Sequence, residues 1–592
     1  MIEKSNINIK YLRLYSMRLI KIFIDLFPVC LKIKLRKQLW LHNLYSKSLQ
    51  RSGIFYGFPS PVKLQKLYVK NIASQTSELL EISANVRSKN TISLVLFLSS
   101  DTQLDLKSMQ HLARLRQINT VCVVGKNSFV SNLECAIASA GLNIDVINIV
   151  SVKEWKTNSI LIIRSGDFLH LNAISLFLHY LSKTESTESV LYCDCDSLNA
   201  KGQRYKAEFY PDWNPDLQLS SGYIKTGLFV SGQNLVQSFK NFITNIEVSS
   251  ALPLWLASIY LKDNFCDVVH LPYVLVHQSN SYVTDWHKCI QILNNKDFVC
   301  SKGPEINVAK LHWNKNTLPL VSLIIPTKNA KSLVKNCIES IVKKTTYPNY
   351  EILLVDNNSD DQEAISYFNI LGNQSNITVL SYPHPFNYSA INNFAVEHAK
   401  GEIIGLVNND IEVSTPEWLA LMVGHTLRKD IGCVGAKLLY PDNRIQHAGV
   451  IMGYGGGAGH AHKYFPRYHS GYLNRLIATH NFSAVTAACL LVKKSDYLAV
   501  GGLNENDLTV AFNDVDFCLR ILQLGRRNLY CAEAVLYHHE SISRGLDDTY
   551  IKKERFEKEL IYLQNKWKGY IAHDPAYNRN LTLNRENFSI KE

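Results

Sequence analysis

The chain writes one pattern twice. From residue 91, short aliphatic and β-branched runs alternate with helical stretches: "TISLVLFLSS" (91–100), "INTVCVVGKNS" (118–128) and "NSILIIRSGDFL" (158–169). From 321 the series returns as "VSLIIPTKN", "YEILLVDNNSDD" and "GEIIGLVNNDIEV". Short, continuously apolar runs read as strands buried on both faces. Strands alternating with helices predict a mostly parallel α/β sheet. Two such series predict two tandem, related α/β domains, over 91–290 and 319–550, with a linker at 291–318 and a C-terminal helix and tail at 551–592. With 592 residues and 46% hydrophobic content, the chain can fill several cores.

Aligned by their strands, the copies differ in chemistry. "SGD" (165–167) falls opposite "NND" (408–410), and Gly125 opposite Asp356. "HLPYVLVHQ" (270–278) falls opposite "CAEAVLYHHE" (531–540), and counting back from His277 and His538 sets Pro253 opposite Asp514. The second copy holds acids where the first has Gly and Pro. Ligands of open α/β sheets bind at the carboxyl ends of strands, where Asp356 and Asp410 stand. A carboxylate there can bond a ribose or base, or hold a hard cation: Mg²⁺ and Mn²⁺ prefer oxygen, and Mn²⁺ also accepts imidazole. Asp and Asn also make ordinary strand-end turns. Asp356 alone fits that plainer role; two Asp-Asn clusters at two strand ends point to a site.

A third cluster follows at 511–545. "DVDFCLRILQLG" reads as a helix with Asn513 as N-cap and Asp514 in its first turn. "LYCAEAVLY" reads as a strand that delivers His538 and His539, with Arg544 beyond them as a natural diphosphate partner. "FNYSAINN" (386–393) reads as a helix start near a donor site, or equally as a capping turn. "GYGGGAGHAH" (453–462) lacks the Lys-Ser/Thr of a phosphate-binding loop and suits a mobile loop over an acceptor. His447, His460, His462 and His469 lack zinc-ligand spacing, which argues against a zinc hydrolase.

Charge is concentrated at the start. Residues 1–52 hold eleven Lys or Arg against two acids, so they carry nine of the twelve net positive charges. The remainder is too nearly neutral for a nucleic-acid binder. "YLRLYSMRLIKIFIDLFPVCLKIKLRKQLWLHNLY" (11–45) spaces its apolar residues like a helix, broken at Pro28. Such a basic helical segment, taken as 1–90, can lie on an anionic membrane surface or pack on the folded body with its basic face to water. No window approaches a transmembrane span, and no cleavable signal layout is present. Thirteen scattered Cys read as reduced thiols of a cytosolic protein. The expectation is a cytoplasmic chain, peripheral on the inner face of the cell membrane.

"VSLIIPTKN", "ILLVDNNSDD", "VNNDIEV", "FNDVDFCLR" and "YHHESISRG" together resemble the family 2 glycosyltransferases. "HAGVIMGYGGGAGHAH" and "NFSAVTAACLLVKK" are similar to the subgroup that builds bacterial surface polysaccharides such as O-antigen, and "YCDCDSLNAKGQRYKAEFYPDWNPD" (192–216) to that subgroup's first domain. The resemblance implies the GT-A fold, in two tandem copies of which the first is degenerate. It implies a nucleotide-sugar donor and a glycan or lipid-linked glycan acceptor, with Mg²⁺ or Mn²⁺. By position it implies donor contacts at Pro326, Asp356, Asn358, Asn409 and Arg544, and metal ligands at Asp410 and at His538 or its neighbour His539. Asp514 stands at the base of an inverting transfer, and His447, His460 and Thr486 on the acceptor side. The chain departs from the family in reading Asn-Asn-Asp for Asp-x-Asp and Asn-Asp for Glu-Asp. Two other readings stay open: a non-catalytic sugar- or nucleotide-binding scaffold, and a glycoside hydrolase, which needs a second carboxyl facing Asp514.

Overall fold

The computed structural model describes residues 61–84, 92–97, 118–124, 145–148, 158–539 and 550–592, less short gaps at 165, 185, 200, 245–250, 263–265, 279–283 and 315–316, with a few single positions before 158. Nearly all of the basic stretch 1–52 therefore lies outside the described residues, as do Gly125 and Arg544.

The first series of strands is β1 (Ile92–Phe97), β2 (Ile118–Val124), β3 (Asp145–Asn148), β4 (Ser159–Arg164), β5 (Phe168–Leu169), β6 (Ser189–Leu198), β7 (Arg204–Glu208), β8 (Leu228–Ser231) and β9 (Asp267–Gln278). A hairpin follows, β10 (Phe298–Lys302) and β11 (Ala309–Trp313). The second series is β12 (Val321–Thr327), β13 (Tyr350–Asp356), β14 (Ile377–Ser381), β15 (Ile403–Val407), β16 (Ile411–Val413), β17 (Ile431–Leu439), β18 (Ile445–His447), β19 (Val450–Met452), β20 (Ala458–His460), β21 (His480–Phe482), β22 (Cys489–Lys493) and β23 (Arg527–His538). Five helices matter below: α1 (Pro61–Ala84), α2 (Ala251–Leu261), α3 (Tyr388–His398), α4 (Asn513–Gln523) and α5 (Tyr550–Lys566).

The first sheet runs β3-β2-β1-β4-β8-β6-β9-β5, with β7 paired to β6. The second runs β14-β13-β12-β15-β22-β17-β23-β16, with β18 paired to β17. Numbered from its own start, and leaving out β19, β20 and β21, the second copy has the strand order of the first. The directions agree as well. β1 lies parallel to β2 and β4 as β12 does to β13 and β15, and β8 runs antiparallel to β4 as β22 does to β15. The apolar runs explain this placement. β12 is buried along its whole length and β15 likewise, as expected of central strands covered on both faces.

The stretch expected as a linker carries the β10–β11 hairpin. Phe298, Ala309 and Leu311 pack with Trp286 and Leu254 of the first copy, while the Trp313 ring lies 4.3 Å from the Arg428 guanidinium of the second. Buried polar contacts join the copies directly. Arg428 donates to Asp216 Oδ1 at 2.6 Å, and Asn214 and Asn481 exchange hydrogen bonds at 2.9 and 3.0 Å. Breaking one side of such a buried ion pair costs about 3–5 kcal/mol. The C-terminal tail then crosses back to the first copy. Asn578 donates to both oxygens of Asp194 at 3.0 Å, and the Asn580 side chain accepts from Asn71 of α1 at 3.0 Å.

Candidate active site

The carboxyl ends of β12, β13 and β15 lie side by side. Thr327 pairs with Asp356 across the sheet, and Asn409 Nδ2 donates to Thr327 Oγ1 at 3.0 Å. Asp356 Oδ1 accepts from the Ser359 amide at 3.1 Å and its hydroxyl at 2.5 Å, so it organises the turn beyond its own strand. Asn329 Oδ1 takes the Asp360 and Asp361 amides at 3.0 Å, closing the turn from the other side. Asn358 is exposed on this turn at φ +57°, and Pro326 is buried in β12 against Val355. The structure thus gathers Pro326, Asp356, Asn358 and Asn409 at one corner. Asp356 is half-buried and serves the turn while standing at that corner.

A second corner forms where β16 meets β23. Ile411 pairs with His538, which sets Asp410 beside the imidazole. Asp410 Oδ1 lies 3.1 Å from His538 Nε2, and both side chains are under a tenth exposed. Asn408 Nδ2 approaches the same Nε2 at 3.3 Å. His538 Nε2 thus lies between the Asn408 side-chain amide and the Asp410 carboxylate. Among the described residues, Asp410 Oδ1 and His538 Nδ1 are buried atoms without a hydrogen-bond partner. A carboxylate and an imidazole suit Mn²⁺, and the carboxylate alone suits Mg²⁺. No group of three or more His, Cys, Asp or Glu side chains is poised to hold an ion among the described residues, so the pair would need oxygens from a ligand. His539 turns away, with Nε2 3.2 Å from Glu412 Oε2.

The third corner is the start of α4. Asp514 lies in its first turn, and the residue before the helix is Phe512 at φ +59°, in place of the expected Asn513 cap. Asn513 is the first helical residue, and its side chain instead donates to the Val510 carbonyl. Asp514 Oδ2 accepts from the Ala487 amide at 3.0 Å and Oδ1 from the Val515 amide at 2.9 Å. Burial pushes its carboxyl above the ordinary carboxylate range, against the pull of these bonds and one from Thr486. His447 Nε2 accepts from the Gly449 and Thr486 amides at 3.3 and 3.4 Å, and its Nδ1 faces His460 Nδ1 at 2.8 Å. Burial and the neighbouring His460 and His538 hold His447 well below the usual imidazole range, so it is neutral. The three acceptor-side candidates are therefore linked in a row, with Thr486 next to Asp514.

Segment 486–488 ties the last two corners. Ala487 donates to Asp514, the Asn408 amide donates to the Ala488 carbonyl at 3.0 Å, and Tyr388 Oη lies 3.3 Å from both the Ala487 carbonyl and Asn408 Oδ1. Tyr388 opens α3, where Asn387 caps by accepting from the Ala390 amide at 3.0 Å. "FNYSAINN" is thus both a cap and a site neighbour. The sequence reading passes over Thr327, Asn408 and Tyr388 as individual residues. Each adjoins or lies inside a motif quoted above, which is the signal that could have found them. "GYGGGAGHAH" behaves otherwise than expected. Its Gly453 amide closes a turn onto the Gly457 carbonyl at 2.7 Å, and a Cβ on Gly457 would strike Leu560 of α5 at 2.7 Å. It is a tight turn packed under the C-terminal helix.

Residues 322–491 match the family described as "Glycosyl transferase family 2". An uncharacterised protein of Sinorhizobium fredii, y4gI, is 39% identical over 443 residues, covering 72% of this chain and 48% of its own length. The O-antigen biosynthesis protein RfbC of Myxococcus xanthus is 31% identical over 422 residues, covering 67% of this chain and 32% of its own length. The chain thus spans about half or less of these curated relatives. Among solved structures, a mannosyltransferase from Pyrobaculum calidifontis, in complex with GDP-Man and Mn²⁺, overlaps 47% of this chain and 72% of its own. Its sequence identity is 15% and the TM-score 0.32.

Proposed function

Residues 322–491 form a family 2 glycosyl transferase domain, and from that premise we propose that the second copy moves a sugar from a nucleotide-sugar donor to a hydroxyl of a growing bacterial surface polysaccharide, with inversion. The observation that carries this reading is the joining of Asp514 to the Asp410–His538 pair through segment 486–488. The O-antigen name of one relative supports the polysaccharide assignment.

In this reading the donor's nucleotide lies against the Thr327–Asp356–Asn409 corner, with Pro326 and Asn358 at its edge. Asp410 and His538 would hold Mg²⁺ or Mn²⁺ against its diphosphate. Bound there, the ion would neutralise charge on the leaving diphosphate. Arg544, outside the described residues, would supply a guanidinium for the diphosphate. His447, His460 and Thr486 line the acceptor side. Asp514 accepts the proton of the acceptor hydroxyl as the new bond to the anomeric carbon forms and the bond to the diphosphate breaks. Its raised affinity for a proton makes it a stronger base than an ordinary carboxylate. A single displacement from the face opposite the leaving group inverts the centre. The first copy braces the second.

Incubation with radiolabelled UDP-, GDP- and dTDP-sugars, Mn²⁺ and a lipid-linked glycan acceptor tests the assignment. Label transferred to the acceptor supports it. Nucleotide binding without transfer would favour the scaffold reading, and release of sugar from a glycan without nucleotide would favour a glycoside hydrolase.

Among the described residues, no helix is long and apolar enough to cross a membrane. Residues 1–52, with their concentrated positive charge, would attach the chain to the anionic inner face of the cell membrane, where lipid-linked acceptors reside. Binding to phosphatidylglycerol vesicles should weaken with salt, and equal binding by a chain lacking 1–52 would contradict the attachment.

A further inference from the structure

Asp514 follows a turn that has no cap of its own. Phe512, just before α4, sits at φ +59°, and its side chain makes no capping bond. A bulky residue in that region persists only where its surroundings hold it. The holding contacts come from α5, beyond the family-matched segment 322–491. Glu559 of α5 is 2% exposed. Its Oε1 accepts from Thr509 Oγ1 at 2.8 Å and the Val510 amide at 2.9 Å, and its Oε2 accepts from the Ala511 amide at 2.9 Å. One turn earlier, Phe556 packs its ring 5.3 Å from that of Phe512. The same turn also steadies the start of α3. The Thr509 carbonyl accepts the Tyr388 amide at 2.9 Å, and the Leu508 carbonyl accepts the Ser389 hydroxyl at 2.6 Å.

We propose that Glu559 is a positioning residue for the base. It fixes turn 509–512, and through that turn sets where the Asp514 carboxylate stands against the Ala487 amide and the acceptor. This rests on the reading of Asp514 as base. The chemistry suits a carboxylate, which offers acceptors only and meets three donors here. Glutamine has the same size but replaces one acceptor oxygen with an amide donor that would face a backbone N–H. Small displacements matter at such a place, since a misplacement of about 1 Å can cost about 10²-fold in rate.

The test is hydrogen–deuterium exchange on the full chain, resolved to single amides, for wild type, Glu559→Gln and Glu559→Ala. Asp514→Ala sets the fully released rate at Ala487. We expect both Glu559 variants to speed exchange about tenfold at Val510 and Ala511 and also at Ala487, the amide that Asp514 holds. Faster exchange at 510–511 with Ala487 protected as in wild type would overturn the proposal, because the turn would then matter only to itself. If Glu559→Ala fails to fold, Glu559→Gln carries the test. With the nucleotide sugar that supports transfer, Glu559→Gln should lower kcat about tenfold and leave the donor KM unchanged. Unchanged kcat despite a released Ala487 would also overturn it. Absence of transfer in wild type would instead defeat the reading of Asp514 as base, while exchange at Ala487 would still report whether Glu559 sets Asp514.

Discussion

The two copies share a strand order and differ in what the side chains at their rims meet. In the first, Phe168 pairs with His277 as Ile411 pairs with His538 in the second, so Asp167 and Asp410 are counterparts. Asp410 faces the imidazole. Asp167 is taken by Arg164 Nε at 3.3 Å, and His277 Nδ1 is taken by Asp196 Oδ1 at 2.6 Å. The first copy's Asp167 is thus engaged by a guanidinium of the chain itself. Helix α2 begins "ALPLWLASIYL", buried and without an acid, where α4 presents Asp514. The lesson is that one strand order carries two different sets of rim contacts. The sheet needs the apolar runs; the proposed reaction needs Asp410, His538 and Asp514 at its rim.

Two acids on β6 of the first copy serve as bracing. Asp194 holds His270 at 2.8 Å and Asn578 of the tail at 3.0 Å. Asp196 holds Arg204 at 2.6 Å and the Tyr68 hydroxyl of α1. "YCDCD" is thus a clamp that ties α1 and the C-terminal tail to the sheet.

The largest effect expected is at the base. Asp514→Asn should cut transfer by about 10²–10⁴-fold, the scale of losing a general base, and leave donor binding in place. Single-turnover transfer and equilibrium nucleotide binding, measured separately, check this. Loss of donor binding alongside transfer would place Asp514 on the donor side instead.

The brace should show in stability. Burial lowers the affinity of His270 for a proton, but Asp194 and Asp212 outweigh it and raise its pKa to about 9. A histidine whose folded value is raised adds stability in full below its ordinary value of about 6.5, and loses it as pH climbs through its folded value. Stability should therefore fall by up to about 3 kcal/mol between about pH 6.5 and 9 from this group. Melting curves across that range, with His270→Gln as the flattened control, test it. Equal slopes in the two proteins would remove His270 from the brace.

Asp410→Asn should weaken Mn²⁺-dependent nucleotide binding by at least about 10–100-fold, the range seen when even an outer partner of a metal ligand is lost. Titration of UDP or GDP with and without Mn²⁺ reads this directly. The counterpart change is the sharper contrast. Asp167→Asn should leave both Mn²⁺-dependent binding and transfer as they are, and cost about 1–3 kcal/mol of stability through its buried bond to Arg164. Transfer lost on Asp167→Asn would assign chemistry to the wrong half of the chain.

Much of this was legible in the sequence because strands buried on both faces read as unbroken apolar runs. That gave the tandem copies and the counterparts Asp167/Asp410 and His277/His538. The residues brought together at the rim were legible as motifs, but their contacts were not. Nothing local says that Tyr388 reaches Asn408, that Asn409 bonds Thr327, or that His538 and not His539 faces Asp410. These depend on strand register, and adjacent residues on a strand point to opposite faces. The hairpin at 298–313 was hidden because its "FVCSK" and "AKLHW" strands are short and half-polar. The grip of Glu559 on 509–511 spans about fifty residues and has no local signature.

The central claim is that the second copy performs the chemistry through Asp514. The most direct measurement is the pH dependence of kcat/KM for wild type and Asp514→Asn. Burial raises the Asp514 carboxyl, and the proposed transfer needs it unprotonated. Wild-type kcat/KM should therefore fall on acidification through a single limb lying above the ordinary carboxylate range of about 4. In Asp514→Asn that limb should vanish and leave a low rate independent of pH over the same span. A limb that persists unchanged in Asp514→Asn would contradict the account.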